Sequence, residues 1–312
     1  MSTIILSGIY CNIKKSKAPK PHEGANGDHN KMKELSDNKY IKPAKGSRWL
    51  RWIKIIILVY CSIGIALYYL QEKILFHPKK LDSNYSFSFK QPFEEINIPF
   101  NKTDTVNMIK FFPQDSVSKG VVLYFHGNKE NVEHYATFVP AFTRKGYEVW
   151  MPDYPGYGKS TGQRTEQKLY SIAYEVQKMA ALKYSSNNII VYGKSLGTAL
   201  AAYIASVKPC KMLILETPYY SIPSLFGTYA FMYPASVMSN YRMPTYEFLA
   251  DVKAPVAIFH GTADWVIPYR CGVQLKKFLK PADIFIKIPQ GSHNNLSESP
   301  LYRHSLDSLL ML

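Results

Sequence analysis

Ser195 stands between two glycines in the segment VYGKSLGTAL, residues 191–200. The apolar run NIIVY before it predicts a strand, and the run LGTALAAYIASV after it predicts a helix. A hydroxyl on such a sharp turn, at the positive end of a helix, is suited to attack a carbonyl carbon. The turn requires small residues on both sides, which Gly193 and Gly197 supply. The pattern therefore predicts a nucleophile for acyl transfer.

A serine hydroxyl is a weak nucleophile and needs a base, which in turn needs a carboxylate to fix its tautomer. His293 lies in QGSHNNL, after the predicted strand IFIKI, and Asp264 lies in HGTADWVIP, after the predicted strand VAIFH. Both are therefore expected at strand ends near Ser195, in the chain order expected for a serine on such an elbow. Glu216 and Asp153 remain competing acids, and an N-cap remains the alternative role of Asp264.

Two backbone N–H groups are expected to bind the oxyanion that forms during attack on a carbonyl. One should belong to Leu196, directly after the nucleophile, and the other to Asn128, in the loop LYFHGNKEN after the third predicted strand. His126 in that loop is expected to orient it, and His304 to be a solvated helix residue. This chemistry needs no metal and no organic cofactor.

Eight short apolar runs predict the strands that must position these residues. They are EEINIPF, VNMIKFF, VVLYF, YEVWM, NIIVY, MLILE, VAIFH and IFIKI. Helical segments separate most of them, so the expected fold class is α/β, with a mostly parallel eight-stranded sheet flanked by helices. The first two strands, joined without a helix, are expected to form an antiparallel edge.

Residues 217–255, between the sixth and seventh predicted strands, are expected to form a short lid of one or two helices. The segment contains nine aromatic residues and three methionines: Tyr219, Tyr220, Phe226, Tyr229, Phe231, Tyr233, Tyr241, Tyr246, Phe248, Met232, Met238 and Met243. Such a surface above Ser195 would suit an apolar acyl chain. The alternative is that these side chains pack a helix onto the body.

A polar leader and an apolar span precede the predicted sheet. Residues 1–48 are rich in Lys, Asn, Asp, Gly and Pro and are expected to form a disordered basic leader. Residues 52–70 contain one charge, Lys54, and at about 1.5 Å per residue are long enough to cross a bilayer. We expect a transmembrane signal anchor over residues 49–70 and a globular domain over 71–312. A buried core helix and a cleaved signal peptide are the alternatives.

Charge and cysteine content exclude some classes of protein and suggest a topology. The formal net charge is +15, and residues 1–51 carry eleven Lys or Arg against four Asp or Glu. This front-loaded charge, without a nucleic-acid-binding motif, predicts no nucleic-acid partner. The basic flank favours a cytoplasmic leader with the body across the membrane.

The four cysteines are widely spaced and predict ordinary thiols, although Cys210 and Cys271 could pair in an oxidising compartment.

Six segments carry a resemblance to a known family: YFHGN, DYPGYGKSTG, YGKSLGTALA, LETPY, HGTADWVIP and GSHNNL. In this order they resemble the α/β-hydrolase superfamily, most closely the Bem46-like group, which includes membrane-anchored α/β-hydrolase domain-containing proteins. The resemblance covers roughly residues 71–312. It implies an α/β-hydrolase fold and a serine hydrolase, with Ser195 as nucleophile, Asp264 as acid, His293 as base and Asp153 in a structural role.

The sequence and the resemblance together predict a membrane-anchored serine hydrolase that cleaves carboxylic esters through an acyl-enzyme. Its expected partners are an acyl-ester or lipid substrate and the membrane, through residues 52–70. An acyl-protein thioesterase and a serine peptidase are the alternatives. A non-catalytic membrane adaptor is disfavoured, because such a protein would more often have lost one member of the triad.

Overall fold

The computed structural model describes residues 48–114 and 117–311. Contacts divide the chain into two units, Met1–Ile57 and Leu58–Leu312. Of the first unit, the structure describes residues 48–57, which begin a long helix. The leader predicted over residues 1–48 lies outside the described residues, except for Arg48.

Helix α1 (Arg48–Leu75) contains the predicted span and is long and apolar enough to cross a membrane. It continues five residues beyond the predicted end at Leu70. The added residues QEKIL are mostly good helix formers, so the helix persists after the apolar run has ended. Gln71 and Leu75 are buried, and the end of α1 therefore belongs to the second unit.

The second unit is built on the predicted eight-stranded sheet. Its strands are β1 (Phe93–Pro99), β2 (Thr105–Phe111), β3 (Gly120–Phe125), β4 (Tyr147–Pro152), β5 (Ile189–Lys194), β6 (Met212–Glu216), β7 (Val256–Gly261) and β8 (Ile284–Ile288). Their order across the sheet is β8-β7-β6-β5-β3-β4-β2-β1. Strands β3 to β8 pair in parallel, while β2 is antiparallel to both β1 and β4, which confirms the expected antiparallel edge.

Helices cover both faces of this sheet. They are α2 (Val132–Tyr135), α3 (Pro140–Thr143), α4 (Glu166–Ala181), α5 (Gly197–Val207), α6 (Ile222–Tyr229), α7 (Ala235–Met238), α8 (Thr245–Asp251), α9 (Tyr269–Val273) and α10 (Pro300–Met311). The core has two parts. Helices α4, α5 and α8 contribute to one, and α3 and α10 contribute to the other. Every residue of strands β3 to β7 is buried, so their carboxyl ends form a rigid edge.

The lid segment, residues 217–255, contains more helices than the one or two that we expected. It contains three helices, α6, α7 and α8, because Pro234 and Pro244 each stand directly before a new helix and divide the segment. Several of its aromatic side chains pack onto the body. Tyr219 is buried, and the ring of Phe248 packs edge-on against that of Tyr203 on α5, with their centroids 5.4 Å apart.

The three cysteines in the described residues are free. Cys61 is exposed, Cys210 is half-buried and Cys271 is buried. Burial raises the pKa of the Cys210 thiol to about 12, so this group is an unreactive thiol at neutral pH. The alternative pairing of Cys210 with Cys271 is therefore absent from the structure.

Candidate active site

Ser195 lies on the turn between β5 and α5 with a φ of +52°, in the left-handed region that non-glycine residues rarely adopt. The glycines beside it leave room for this turn. A Cβ atom on Gly193 would lie 2.6 Å from the carbonyl oxygen of Gly197, and one on Gly197 would lie 2.0 Å from that of Phe125. The strand, the strained turn and the helix hold the Ser195 hydroxyl above the sheet, as the sequence pattern predicts.

A continuous chain of hydrogen bonds joins the three predicted residues. Ser195 Oγ lies 2.9 Å from His293 Nε2, and His293 Nδ1 lies 2.8 Å from Asp264 Oδ2. The three residues are only 5–8% exposed. With its proton on Nδ1, His293 donates to Asp264 and presents an unprotonated Nε2 to the serine hydroxyl. This geometry allows His293 to accept the Ser195 proton.

The carboxylate of Asp264 is fixed by its own loop. Its Oδ1 accepts hydrogen bonds from the backbone N–H groups of Val266 and Ile267, at 2.9 Å and 2.8 Å. His260 Nε2 lies 3.7 Å from Asp264 Oδ2 and donates instead to the carbonyl oxygen of Ile267 at 2.9 Å. Burial lowers the pKa of His260, which is therefore neutral, and Asp264 Oδ2 remains available to His293.

The loop that contains Asn128 lies beside Ser195. A Cβ atom on Gly127 would lie 3.5 Å from Ser195 Cβ. The Asn128 side chain donates to the carbonyl oxygen of Leu75 at 2.9 Å, which leaves the backbone N–H as the group for the expected oxyanion role. Leu196 forms the N-cap of α5, directly after the nucleophile. Both expected donor residues are therefore adjacent to the hydroxyl in space or in sequence.

The segment DYPGYG forms hydrogen bonds with this loop. Tyr154 donates to the carbonyl oxygen of His126 at 2.8 Å, and Tyr157 donates to that of Asn128 at 2.7 Å. The Asp153 carboxylate lies 3.2 Å from His126 Nε2, and both side chains are fully buried. Burial raises the pKa of Asp153. Asp153 and His126 thus orient the loop as expected, whereas the sequence reasoning missed the two tyrosines, which only the DYPGYG motif signalled.

Glu216, the other competing acid, lies in a separate buried network. It pairs with Lys194 and accepts hydrogen bonds from Tyr192 and, at 2.8 Å, from Tyr302. Burial alone would raise the pKa of Glu216, but the Lys194 ammonium group and the hydrogen bonds outweigh it and hold the pKa below its usual value. This network fixes the strand end below Ser195 and leaves no carboxylate oxygen for His293. The sequence reasoning missed it, because Lys194 and Glu216 become neighbours only through the pairing of β5 with β6.

A cavity of about 440 Å³ opens at Ser195. Its lining includes His77, Asn128, Lys129, Glu130, His134, Tyr135, Phe138, His293 and, from helix α1, Ile74. No residue of the lid segment lines it in the described part of the chain, so the aromatic residues of the lid do not form the wall of this cavity. The wall is instead mixed, with charged and polar side chains beside Ile74, Tyr135 and Phe138. His304 lies away from the cavity, exposed on α10.

The chain is similar in sequence to several known proteins. Residues 116–248 match the family model described as "Serine aminopeptidase, S33". The Xenopus tropicalis "Alpha/beta hydrolase domain-containing protein 17C" is 29% identical over 200 residues, which cover 62% of this chain and 61% of that protein. The human protein of the same name is 26% identical over 241 residues, covering 74% of this chain and 69% of that protein. The chain thus matches about three fifths of the length of the Xenopus relative.

Two solved esterases share the fold. Est1E from Butyrivibrio proteoclasticus, with ferulic acid bound, has a TM-score of 0.58 and 20% identity, and covers 69% of this chain and 98% of its own. The Pyrococcus furiosus esterase Pf2001 has a TM-score of 0.57 and 16% identity, and covers 76% of this chain and 97% of its own.

The sheet order and the similarity to these structures define an α/β-hydrolase fold, in which Ser195, His293 and Asp264 are joined by hydrogen bonds. Over part of its length the chain is similar to the matched family and to the α/β-hydrolase domain-containing proteins, in line with the resemblance found in the sequence. The fold class expected from the sequence is therefore confirmed.

Proposed function

We propose that this protein is a membrane-anchored serine hydrolase that cleaves carboxylic esters of long acyl chains through an acyl-enzyme. Ser195 is the nucleophile, His293 the general base and acid, and Asp264 the carboxylate that orients His293. The observation that carries the proposal is the hydrogen-bond chain from Ser195 Oγ through His293 to Asp264. Two of the similar folds are esterases by name, which supports an ester substrate.

The reaction begins when Ser195 Oγ attacks the ester carbonyl carbon and its proton passes to His293 Nε2. Asp264 stabilises the imidazolium that results, and the backbone N–H groups of Asn128 and Leu196 bind the oxyanion. The tetrahedral intermediate expels the alcohol, which takes the proton from His293. A water molecule then attacks the acyl-enzyme, gives a proton to His293, and the carboxylic acid leaves as Ser195 regains its hydroxyl proton. No step requires a metal or an organic cofactor.

The cavity at Ser195 favours a polar leaving group. His77, Lys129, Glu130 and His134 provide both positive and negative partners for an alcohol or a lipid headgroup at the mouth of the site. The apolar part of the substrate must then leave the cavity in another direction. The side chain of Ile74, which belongs to the apolar helix α1, marks that direction.

Membrane anchoring completes the proposed organisation: a leader over residues 1–48, an anchor over 49–70 and the hydrolase domain over 71–312. Helix α1 supports this arrangement, because large apolar side chains from Trp49 to Leu70 are exposed along it. The basic residues before the span favour a cytoplasmic leader and a catalytic domain on the opposite side.

Hydrolysis by the purified full-length protein in detergent tests the function. Wild type should hydrolyse p-nitrophenyl esters, and Ser195→Ala should abolish this activity without lowering the thermal midpoint of unfolding. A parallel assay with acyl-thioester and aminoacyl-arylamide substrates separates the alternatives. Thioester turnover well above ester turnover would assign a thioesterase, and arylamide turnover would assign a peptidase. Ester hydrolysis that survives in Ser195→Ala would contradict the assignment.

A further inference from the structure

Helix α1 and the lid segment enclose an apolar groove. Its walls are Leu67 and Ile74 on α1, and Phe226, Ala230, Tyr233 and Met238 on the lid segment. The enclosed volume is about 40 Å³. A water-sized group needs about 10–15 Å³ on this measure, so the groove has room for roughly three successive methylene groups.

Hydrogen bonds and stacking hold the lid segment against α1, so the groove is built into the structure. Tyr60 donates to the carbonyl oxygen of Met232 at 2.9 Å, and Tyr233 donates to that of Tyr60 at 3.0 Å. The rings of Tyr60 and Tyr233 stack with their centroids 4.6 Å apart. Further along the helix, Gln71 donates to the carbonyl oxygen of Met238 at 3.2 Å and accepts a hydrogen bond from the N–H of Asn240 at 2.6 Å.

The groove adjoins the cavity at Ser195, because Ile74 lines both. Leu67 and Ile74 are seven residues apart, so the groove follows α1 for about two turns away from the nucleophile. Ile74 therefore joins the wall of the cavity at Ser195 to the wall of the groove along α1.

The groove also lies beside the apolar part of the helix. Tyr60, which holds the lid segment, lies ten residues before Leu70, or about 15 Å along the helix axis. Phe231, Met232 and Val237 beside this contact are mostly exposed, at 81%, 63% and 82%. If α1 crosses the bilayer, these side chains lie at the depth of the hydrocarbon, and the groove opens towards lipid.

We infer that this groove is the acyl-chain subsite of the enzyme and that it receives the chain of a membrane-resident ester laterally from the bilayer. The inference rests on the proposed ester hydrolase function. The acyl chain extends from the Ser195 carbonyl site past Ile74 into the groove, while the alcohol part faces the charged and polar side chains of the cavity. Lid segment and anchor helix together then select for chain length, and the anchor is part of the binding site.

Filling the groove tests the inference. Leu67→Trp places a larger side chain in the groove, and Leu58→Trp is the matched control. Leu58 is 66% exposed, and nine residues of separation place it on the opposite face of α1. Full-length proteins in detergent are assayed with p-nitrophenyl butyrate and p-nitrophenyl palmitate, and fluorophosphonate labelling of Ser195 reports an intact site in each variant.

Excluding two or three methylene groups should lower kcat/KM for palmitate about ten- to fiftyfold. The butyrate value and the labelling should stay within twofold of wild type, and Leu58→Trp should change neither ester. Ala235 also lines the groove, and Ala235→Leu, a smaller addition there, should lower the palmitate value in the same direction.

Two results would overturn the inference. The first is an unchanged ratio of palmitate to butyrate hydrolysis in a normally labelled Leu67→Trp protein. The second is a loss that both esters share equally in Leu67→Trp and Ala235→Leu, which would give these positions a purely structural role. Failure of the proposed ester hydrolase function gives a different result, because wild type would then hydrolyse neither ester. That result would also rule out the subsite.

Discussion

Replacing Asp264 with Asn tests how the triad positions its base. Asn has nearly the same shape, and its Oδ1 can still accept the N–H groups of Val266 and Ile267. Its Nδ2 then faces His293 Nδ1, where Asp264 Oδ2 now lies at 2.8 Å. An amide donates at this position, so His293 must accept on Nδ1 and carry its proton on Nε2. A base with a protonated Nε2 cannot take the proton of Ser195.

The expected loss follows from the tautomer and the missing negative charge. In serine proteases with the same arrangement, the equivalent Asp-to-Asn change lowers kcat about 10⁴-fold, or about 5 kcal/mol of transition-state stabilisation. The Asp264 carboxylate is buried and faces His293 at a similar hydrogen-bond distance. We therefore expect a loss of kcat of about 10³- to 10⁴-fold, with little change in KM.

Steady-state hydrolysis of p-nitrophenyl butyrate measures this loss, and thermal unfolding reports the fold. Asp283→Asn is the matched control, because Asp283 is also buried and accepts the N–H groups of Val256 and Lys280 outside the triad. The control should keep kcat within a few-fold of wild type. The reasoning is refuted if Asp264→Asn keeps more than a tenth of the wild-type kcat, or if Asp283→Asn loses as much.

The remaining predictions concern the network and the elbow that support Ser195. Lys194→Met should cost about 3–5 kcal/mol of unfolding free energy at neutral pH, because the Glu216 carboxylate loses its buried cation. Lys194 holds the Glu216 pKa down, so its stabilisation is present above the usual pKa of a glutamate and is lost as the pH falls through the lowered value. The difference in unfolding free energy between wild type and Lys194→Met, measured by urea unfolding, should therefore become smaller in acid. A difference that does not change with pH would contradict the ion pair. Gly197→Ala should lower the thermal midpoint and abolish labelling, since its Cβ would lie 2.0 Å from the Phe125 carbonyl oxygen. In Gly227→Ala the added Cβ would lie 4.0 Å from its nearest neighbour, so the thermal midpoint and the labelling should stay unchanged. Equal effects of Gly197→Ala and Gly227→Ala would refute the explanation by a steric clash.

Much of the fold and the candidate site follows from the sequence, because both depend on local patterns. Each of the eight strands is a short apolar run, and the loops that follow parallel strands lie at the same edge of the sheet. Ser195, Asp264 and His293 each follow such a strand. Their meeting could therefore be predicted without knowledge of distant contacts.

The contacts of the lid segment could not be predicted in the same way. Tyr60 and Tyr233 are 173 residues apart, and nothing near either residue indicates the other. We expected the aromatic surface of the lid above Ser195, whereas in the structure Tyr233 packs against α1 and Phe248 against α5 of the body. The prediction of one or two helices missed the breaks between the helices of the lid. Pro234 and Pro244 indicate these breaks in the sequence, because each stands directly before a new helix.

Mass-spectrometric mapping of a fluorophosphonate adduct tests the central claim most directly. The full-length protein is labelled in detergent, digested and sequenced, with Ser195→Ala and His293→Ala treated in parallel. The account predicts one adduct, on the peptide that contains Ser195, with none on Ser195→Ala and a far slower reaction in His293→Ala. An adduct on another residue, or equal labelling rates in wild type and His293→Ala, would contradict Ser195 as the activated nucleophile.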